Sequence, residues 1–307
     1  MKILITGANG LLGQKLIALL SHEKDIEVVA TSRGKNVNYY DLPDYHFRSL
    51  DITNREQVNE VIADEKPDVI VHTAAMTNVD ACEQNQNACW QVNVVAVEWL
   101  LEAAKKQNAF FVHLSTDFVF SGERGPLDET AAPAPVNYYG KSKTEAELLV
   151  QQSDVKHAIV RTALVYGIAP SMSRSNIVLW VKESLENGKK IKVVDDQFRT
   201  PTLAEDLAQG CWLIAKKQAE GIFHISDEEV YTPYEMAVLV GEHFNLNVSL
   251  ISRTDSTEFK QPARRPPKTG FIIEKAKKEL GYQPHTFQQG LAFMEKHLKK
   301  IEKIPVP

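Results

Sequence analysis

The chain has 307 residues, of which 43% are hydrophobic and 24% charged, and 40 acidic against 35 basic side chains leave a formal charge of −5. At ~150 residues per domain this allows two domains or one large α/β unit with an appendage, and so ordinary a composition argues against disorder, collagen-like repeats and coiled coil. Basic patches are short, as in Ala263-Arg264-Arg265-Pro266, so the concentrated positive face that nucleic acid requires is missing; no apolar run approaches the ~20 residues that span a bilayer.

The first half alternates short apolar runs with amphipathic stretches. Strands are expected at 2–6, 27–31, 69–73 and 110–115, and helices at 11–20, 54–65 (capped by Thr53 or Asn54) and 88–106. Continuous apolar strands alternating with helices indicate an α/β fold, a doubly wound parallel sheet of Rossmann type covered on both faces. Beyond residue 150 the pattern loosens. Strands at 158–162 and 221–226 return to the first sheet, and helices are expected at 176–187, 232–242, 273–280 and 287–299. The expected organisation is a dinucleotide-binding domain at 1–160, joined by strands near 158–165 and 221–226, with a smaller C-terminal α/β substrate lobe from 171–201 and 228–307.

Met1–Gly7 lacks the long apolar core of a secretory signal. Cys82, Cys89 and Cys211 fit neither a C-x-x-C pair nor a zinc pattern and are expected as buried free thiols in a reducing cytoplasm. His72, His113 and His224, in or beside apolar strands, are expected to pack in the core, and no metal constellation is found. Trp90, Trp99, Trp180 and Trp212 fall at helical core or interface positions, and Glu98 and Glu102 on a solvated helix face.

Gly7-Ala8-Asn9-Gly10-Leu11-Leu12-Gly13 separates the first strand from the first helix. Glycines there permit a tight turn and close approach of backbone N–H groups to a pyrophosphate, and the helix N-terminus adds about half a positive charge. The opening of a βαβ unit is the context that makes such a loop a dinucleotide site. The second strand ends in Thr31-Ser32-Arg33-Gly34-Lys35, without the carboxylate that would accept from a free ribose 2′-hydroxyl; Arg33 can instead pair with a 2′-phosphate. NADPH is therefore the expected cofactor, with NADH as the alternative.

Tyr139-Gly140-Lys141-Ser142-Lys143 sets a tyrosine and a lysine four residues apart, on one helical face. A free phenol titrates near ~10, and a neighbouring ammonium is expected to bring it toward the working range while also reaching the nicotinamide ribose. Thr116, at a strand end about twenty residues upstream, can donate to a substrate carbonyl and to the developing alkoxide.

The G-x-x-G-x-x-G spacing together with Thr116, Tyr139 and Lys143 resembles the extended short-chain dehydrogenase/reductase family. That resemblance implies cofactor contacts from Gly7, Asn9, Gly10, Leu11, Leu12, Gly13, Ser32 and Arg33, from Asp51-Ile52 at the adenine, and from Thr73-Ala74-Ala75-Met76 beside the nicotinamide, with Tyr139 and Lys143. Within it, Ala74–Asp80 (A-A-M-T-N-V-D), Ser115–Phe120 (S-T-D-F-V-F), Pro135–Gly140 (P-V-N-Y-Y-G), Asp196–Thr202 (D-Q-F-R-T-P-T) and Ala263–Pro266 are similar to the dTDP-4-dehydrorhamnose reductase family over nearly the whole chain. This implies reduction of the C4 ketone of a nucleotide-linked 4-keto-6-deoxy sugar, with Thr77, Val79, Asp80, Thr116, Leu164, Gln197 and Arg264 or Arg265 at the substrate, the arginines at its diphosphate. Phe118 stands where related dehydratases carry a glutamate, so elimination lacks its base. Two departures bear on the sugar: Leu164 replaces a tryptophan, and Lys268–Ile273 loses polar residues usual after the proline. A homodimer is an open option. Two other readings also stay open: a cofactor-bound regulator resembling the regulatory subunit of methionine adenosyltransferase, and an epimerase that holds NAD tightly.

Overall fold

The computed structural model describes residues 1–37, 45–172, 174–258 and 261–301; Ser173, 259–260 and 302–307, which fall in the expected substrate lobe, lie outside the described residues. The strands are β1 (Lys2–Thr6), β2 (Glu27–Ser32), β3 (Tyr45–Ser49), β4 (Val69–His72), β5 (Phe110–Thr116), β6 (His157–Thr162), β7 (Val165–Tyr166), β8 (Ile191–Val194), β9 (Thr202–Leu203), β10 (Gly221–His224) and β11 (Ile251–Thr254). The helices are α1 (Leu11–Leu20), α2 (Arg55–Glu65), α3 (Val79–Gln84), α4 (Gln86–Trp90), α5 (Ala96–Gln107), α6 (Tyr138–Gln152), α7 (Ile177–Glu186), α8 (Ala204–Lys217), α9 (Pro233–His243) and α10 (Phe287–Ile301).

Seven strands form one parallel sheet in the order β10-β6-β5-β4-β1-β2-β3. Alternation along each strand sends side chains to two apolar layers. Ile3, Ile5, Val28, Val69 and Val112 face α1 and α8, whereas Leu4, Val29, Ile70 and Phe111 face α2, α5 and α6. Each fully buried side chain of this size contributes ~1.5–3 kcal/mol, which is why the doubly covered sheet wins over any one-sided arrangement.

The stretch expected as one helix over 88–106 is built as α4 and α5 joined by a π turn at Gln91–Val95, with right-handed helical backbone throughout. Several elements escape the sequence reading. The edge strand β3 is half exposed and carries mixed polar residues. Helix α8 starts at Leu203 with no side-chain cap, so no start signal marks it. Strands β8 and β11 pair only with each other, and β7 only with β9.

A separate apolar cluster gathers α7, α9 and α10 around Val181, Ile191, Met236, Val240, Phe287 and Leu291. The late segment takes another course. Phe271, Ile273, Ala276, Leu280 and Tyr282 return to the layer under α1 and α8. Residues 276–280, within the expected helix 273–280, form a π turn closed by Gly281 in the left-handed region. No helix among the described residues is long and apolar enough to cross a membrane.

Candidate active site

The direction of chain winding reverses between β1 and β4, which opens a crevice at the carboxyl edge of the sheet. The glycine loop lies there. Gly7 adopts φ +68°, and a Cβ on it would sit 2.7 Å from Ala74 N; one on Gly13 would sit 2.4 Å from Gly7 O. Helix α1 begins at Gly10 with no side-chain cap and no acidic residue in its first turn. Its amide ends therefore form a cradle that accepts an anion, and the residues present fit a dinucleotide pyrophosphate.

Asn9 holds the neighbouring loop: its Nδ2 donates to Lys35 O at 2.9 Å and its Oδ1 accepts from Val37 N at 3.2 Å. Gln14, buried one turn into α1, donates to Asn9 O and to Ser171 O, tying the loop to the second half of the chain. Ser32 ends β2, and Arg33 beside it is exposed. Arg33 is near enough to Asp51 to help hold that carboxyl below its ordinary range, after the larger effect of the Thr53 hydroxyl bonded to it at 2.6 Å. Ile52 is buried under α2, and Leu11 and Leu12 are half-buried. On the far side of the crevice Thr73 donates to Thr6 O at 2.6 Å, and Ala74 N donates to Thr6 Oγ1 at 3.3 Å. Ala75 and Met76 follow, half-buried, with Met76 fixed through both backbone groups by the Asn93 amide, at 2.8 and 3.1 Å.

Asn137 caps α6 by accepting from Gly140 N at 2.8 Å. A Cβ on Gly140 would lie 2.1 Å from Phe118 O, so only glycine lets the first turn of α6 rest on the turn that follows β5. That contact brings Tyr139 close to Thr116, whose hydroxyl works against the effect of burial on the phenol. The Thr116 hydroxyl also donates to Asp117 Oδ1 at 3.1 Å. Tyr139, Thr116 and Lys143 are all buried, with Thr116 beside the Tyr139 phenol and Lys143 one turn further along α6.

The electrostatics differ from expectation. Burial pushes the Tyr139 phenol well above the ordinary tyrosine range, opposed by the Thr116 hydroxyl, and Lys143 is not among the groups that move it. Lys143 instead places Nζ 3.1 Å from His113 Nε2, and burial brings its ammonium down to about 8 against the pull of Glu147 and Cys89. The spacing in sequence fixes the shared face of the helix; it does not fix where a four-carbon side chain ends.

Two buried ion pairs frame the site. Glu147, one turn beyond Lys143, accepts from Ser115 Oγ at 2.5 Å and from Arg161 Nε and Nη2 at 3.0 and 2.6 Å, joining α6, β5 and β6. Asp117 accepts from Thr269 and faces Arg199 Nε at 3.1 Å, while the Arg199 fork donates to Pro266 O and Pro267 O. Thr269 belongs to the late segment that departs from the family pattern, and its hydroxyl reaches Asp117.

Asp80 and Arg265 meet each other, in a bidentate pair with N–O distances of 2.6 and 2.7 Å that holds the Asp80 carboxyl low. Arg264 is exposed, and its carbonyl accepts from Asn137 Nδ2 at 2.7 Å. Thr77, exposed, accepts from Arg174 at 3.1 Å. Val79 packs against the cluster of Cys82, Cys89 and Tyr139; Leu164 takes φ +42°, unusual for a branched side chain; Gln197 is half-buried. All three cysteines are buried free thiols. Asn93, His113, Arg174, Arg199 and Gln14 were not anticipated at the site. For Asn93 the available signal was a polar residue inside an otherwise apolar helical run.

Residues 1–300 match the family described as RmlD substrate binding domain. The chain is 32% identical over 302 residues to the dTDP-4-dehydrorhamnose reductase of Aggregatibacter actinomycetemcomitans, covering 94% of this chain and 97% of that protein. It is 31% identical over 250 residues to methionine adenosyltransferase 2 subunit beta of Rattus norvegicus, covering 80% of this chain and 72% of that one. Among solved structures, the dTDP-4-dehydrorhamnose reductase of Bacillus anthracis in complex with NADP superposes with a TM-score of 0.82 at 28% identity, over 96% of this chain and 99% of that one.

Proposed function

The chain belongs to the RmlD substrate binding domain family, and on that premise we propose that it is an NADPH-dependent reductase acting in the cytoplasm on the C4 ketone of a nucleotide-linked 4-keto-6-deoxy sugar, as a dTDP-4-dehydrorhamnose reductase does. The observation that carries this reading is buried Tyr139 beside Thr116, with Lys143 one turn along the same helix and a glycine cradle that fits a dinucleotide.

When bound, NADPH would supply the hydride. Gly7, Gly10 and Gly13 would hold its pyrophosphate, Arg33 its 2′-phosphate, Asp51 its adenosine end, and Lys143 its nicotinamide ribose. Thr116 would turn its single hydroxyl proton from Asp117 to the ketone oxygen. Tyr139 passes its phenolic proton to that oxygen as C4 becomes tetrahedral, and the deep burial of the phenol keeps it protonated until then. Elimination has no support here. Phe118 packs edge-on to Tyr139 with ring centres 5.8 Å apart; of the carboxyls at that strand end, Asp117 is taken up by Arg199, Thr269 and Thr116, and Glu147 by Arg161 and Ser115. For the diphosphate, exposed Arg264 is the better placed arginine, because Arg265 is engaged by Asp80. We expect a homodimer, to be checked by light scattering.

The test is NADPH oxidation across a panel of 4-keto nucleotide sugars, with product stereochemistry read by NMR. Turnover of a 4-keto-6-deoxy sugar is the expected result. Tight NADPH binding with no turnover on any member of the panel would transfer the chain to the regulatory-subunit reading that the second relative represents.

A further inference from the structure

Lys143 is buried on every side, yet it has a built partner. Its Nζ lies 3.1 Å from His113 Nε2, and His113 is fully buried on β5. His113 pairs in register with His72 on β4, their rings stacked at 5.5 Å, and His72 pairs in register with Thr6 on β1, bonded to it through Nδ1 at 2.8 Å. Thr6 in turn takes the Ala74 N–H and, on its carbonyl, the Thr73 hydroxyl. A polar row therefore runs across three neighbouring strands on the face otherwise filled by Leu4, Ile70 and Phe111. One end lies at the glycine loop and the other at the amine of Lys143.

Polar groups in an apolar layer cost stability unless paired; this row is hydrogen-bonded at its two ends, Thr6–His72 and His113–Lys143, the two imidazoles between them are stacked, and His113 Nδ1 has no partner. Burial keeps both imidazoles neutral, His72 down to about 3 and His113 well below its ordinary value. A neutral ring can accept from an ammonium; a charged one would repel it.

We propose that His113 is the positioning residue for Lys143: its neutral Nε2 accepts a hydrogen bond from the ammonium and so fixes the amine where α6 meets β5, and His72 and Thr6 hold the His113 ring in place. The role as part of a reductase rests on the function proposed above, whereas the hydrogen bond itself does not.

His113→Phe keeps a ring in the stack and removes the acceptor. His113→Gln restores an acceptor at the same reach. In protein labelled with [13Cε]lysine, the Lys143 signal, assigned by its loss in Lys143→Met, is titrated in each protein. The groups facing the amine are Glu147 on α6, Cys89 on α4 and His113, with His72 behind it, and only His113 changes. Wild type should titrate near about 8. His113→Phe should titrate about one unit lower, and kcat should fall ~10-fold with KM for the nucleotide sugar within about two-fold, as expected for loss of one hydrogen bond to a charged group; His113→Gln should recover most of both. A wild-type titration midpoint in His113→Phe overturns the proposal, as does equal damage in Phe and Gln variants. If His113→Phe does not fold, His113→Asn, which falls short of the amine, is judged by the same criteria. Should no keto-sugar be reduced, the reductase reading falls alone and the titration still decides the role of His113.

Discussion

Tyr139 shows how much chemistry a single buried hydroxyl can carry. Tyr139→Phe keeps the ring that packs on Phe118 and deletes the acid, so turnover should drop ~10²–10⁴ with the melting temperature unchanged. Thr116→Val should lower turnover while NADPH titrations stay as in wild type. The double variant should lose far less than the product of the single losses, because the two hydroxyls act as one unit. At the adenosine end, Arg33→Ala should weaken NADPH binding by ~1.5–3 kcal/mol and leave NADH nearly unchanged, measured by fluorescence titration of both. Equal loss would mean that Arg33 serves only the Asp51 carboxyl. Tyr139, Lys143 and Thr116 were legible in the sequence because helical spacing and a strand end place them. The Asp80–Arg265 pair was not, since nothing local links residues 185 positions apart, and two expected substrate contacts turned out to hold each other.

Elements announce themselves through their ends. Asn54, Asn137, Asn176 and Thr232 each cap the helix that follows, and helices 54–65, 176–187 and 232–242 were all expected, the first of them from such a signal. Helix α8 begins without one and went unseen, and β8 and β11 are four residues each, too short for periodicity to speak. Asn137 does two things: it caps the helix that carries Tyr139, and it holds the carbonyl of Arg264. Asn137→Ala should cost ~0.5–2 kcal/mol by denaturant unfolding. It should also raise KM for the nucleotide sugar more than it lowers kcat, because the arginine loop loses an anchor. A stability loss with unchanged KM would reduce Asn137 to a cap.

For the molecule as a whole, the site is built at the expense of stability. Lys143 ionises near about 8 in the fold, below the ordinary lysine value of 10.5. The unfolded chain therefore binds more protons between those two values, and from this group stability rises with pH across that window; below about 8 the full cost of burying the ammonium is present. Lys143→Met should accordingly stabilise the protein at pH 7, flatten the rise between pH 8 and 10, and abolish turnover, with urea midpoints at pH 7 and 9.5 as the measurement. A destabilised Lys143→Met at pH 7 would mean that the His113 bond outweighs the burial.

The return of Phe271, Ile273, Leu280 and Tyr282 to the layer under α1 and α8 bears on how the chain comes off the ribosome. All seven strands of the sheet have been made once β10 ends at His224, but one of its two faces waits for residues that come roughly 60 positions later, a delay of a few seconds at ~5–20 residues per second. The nascent sheet spends that time with this layer incomplete, covered by α1 and α8 but lacking its last apolar side chains. Stalled chains released at residue 230 should be protease-sensitive and bind chaperones, whereas chains stalled with residue 282 clear of the exit tunnel should be protected.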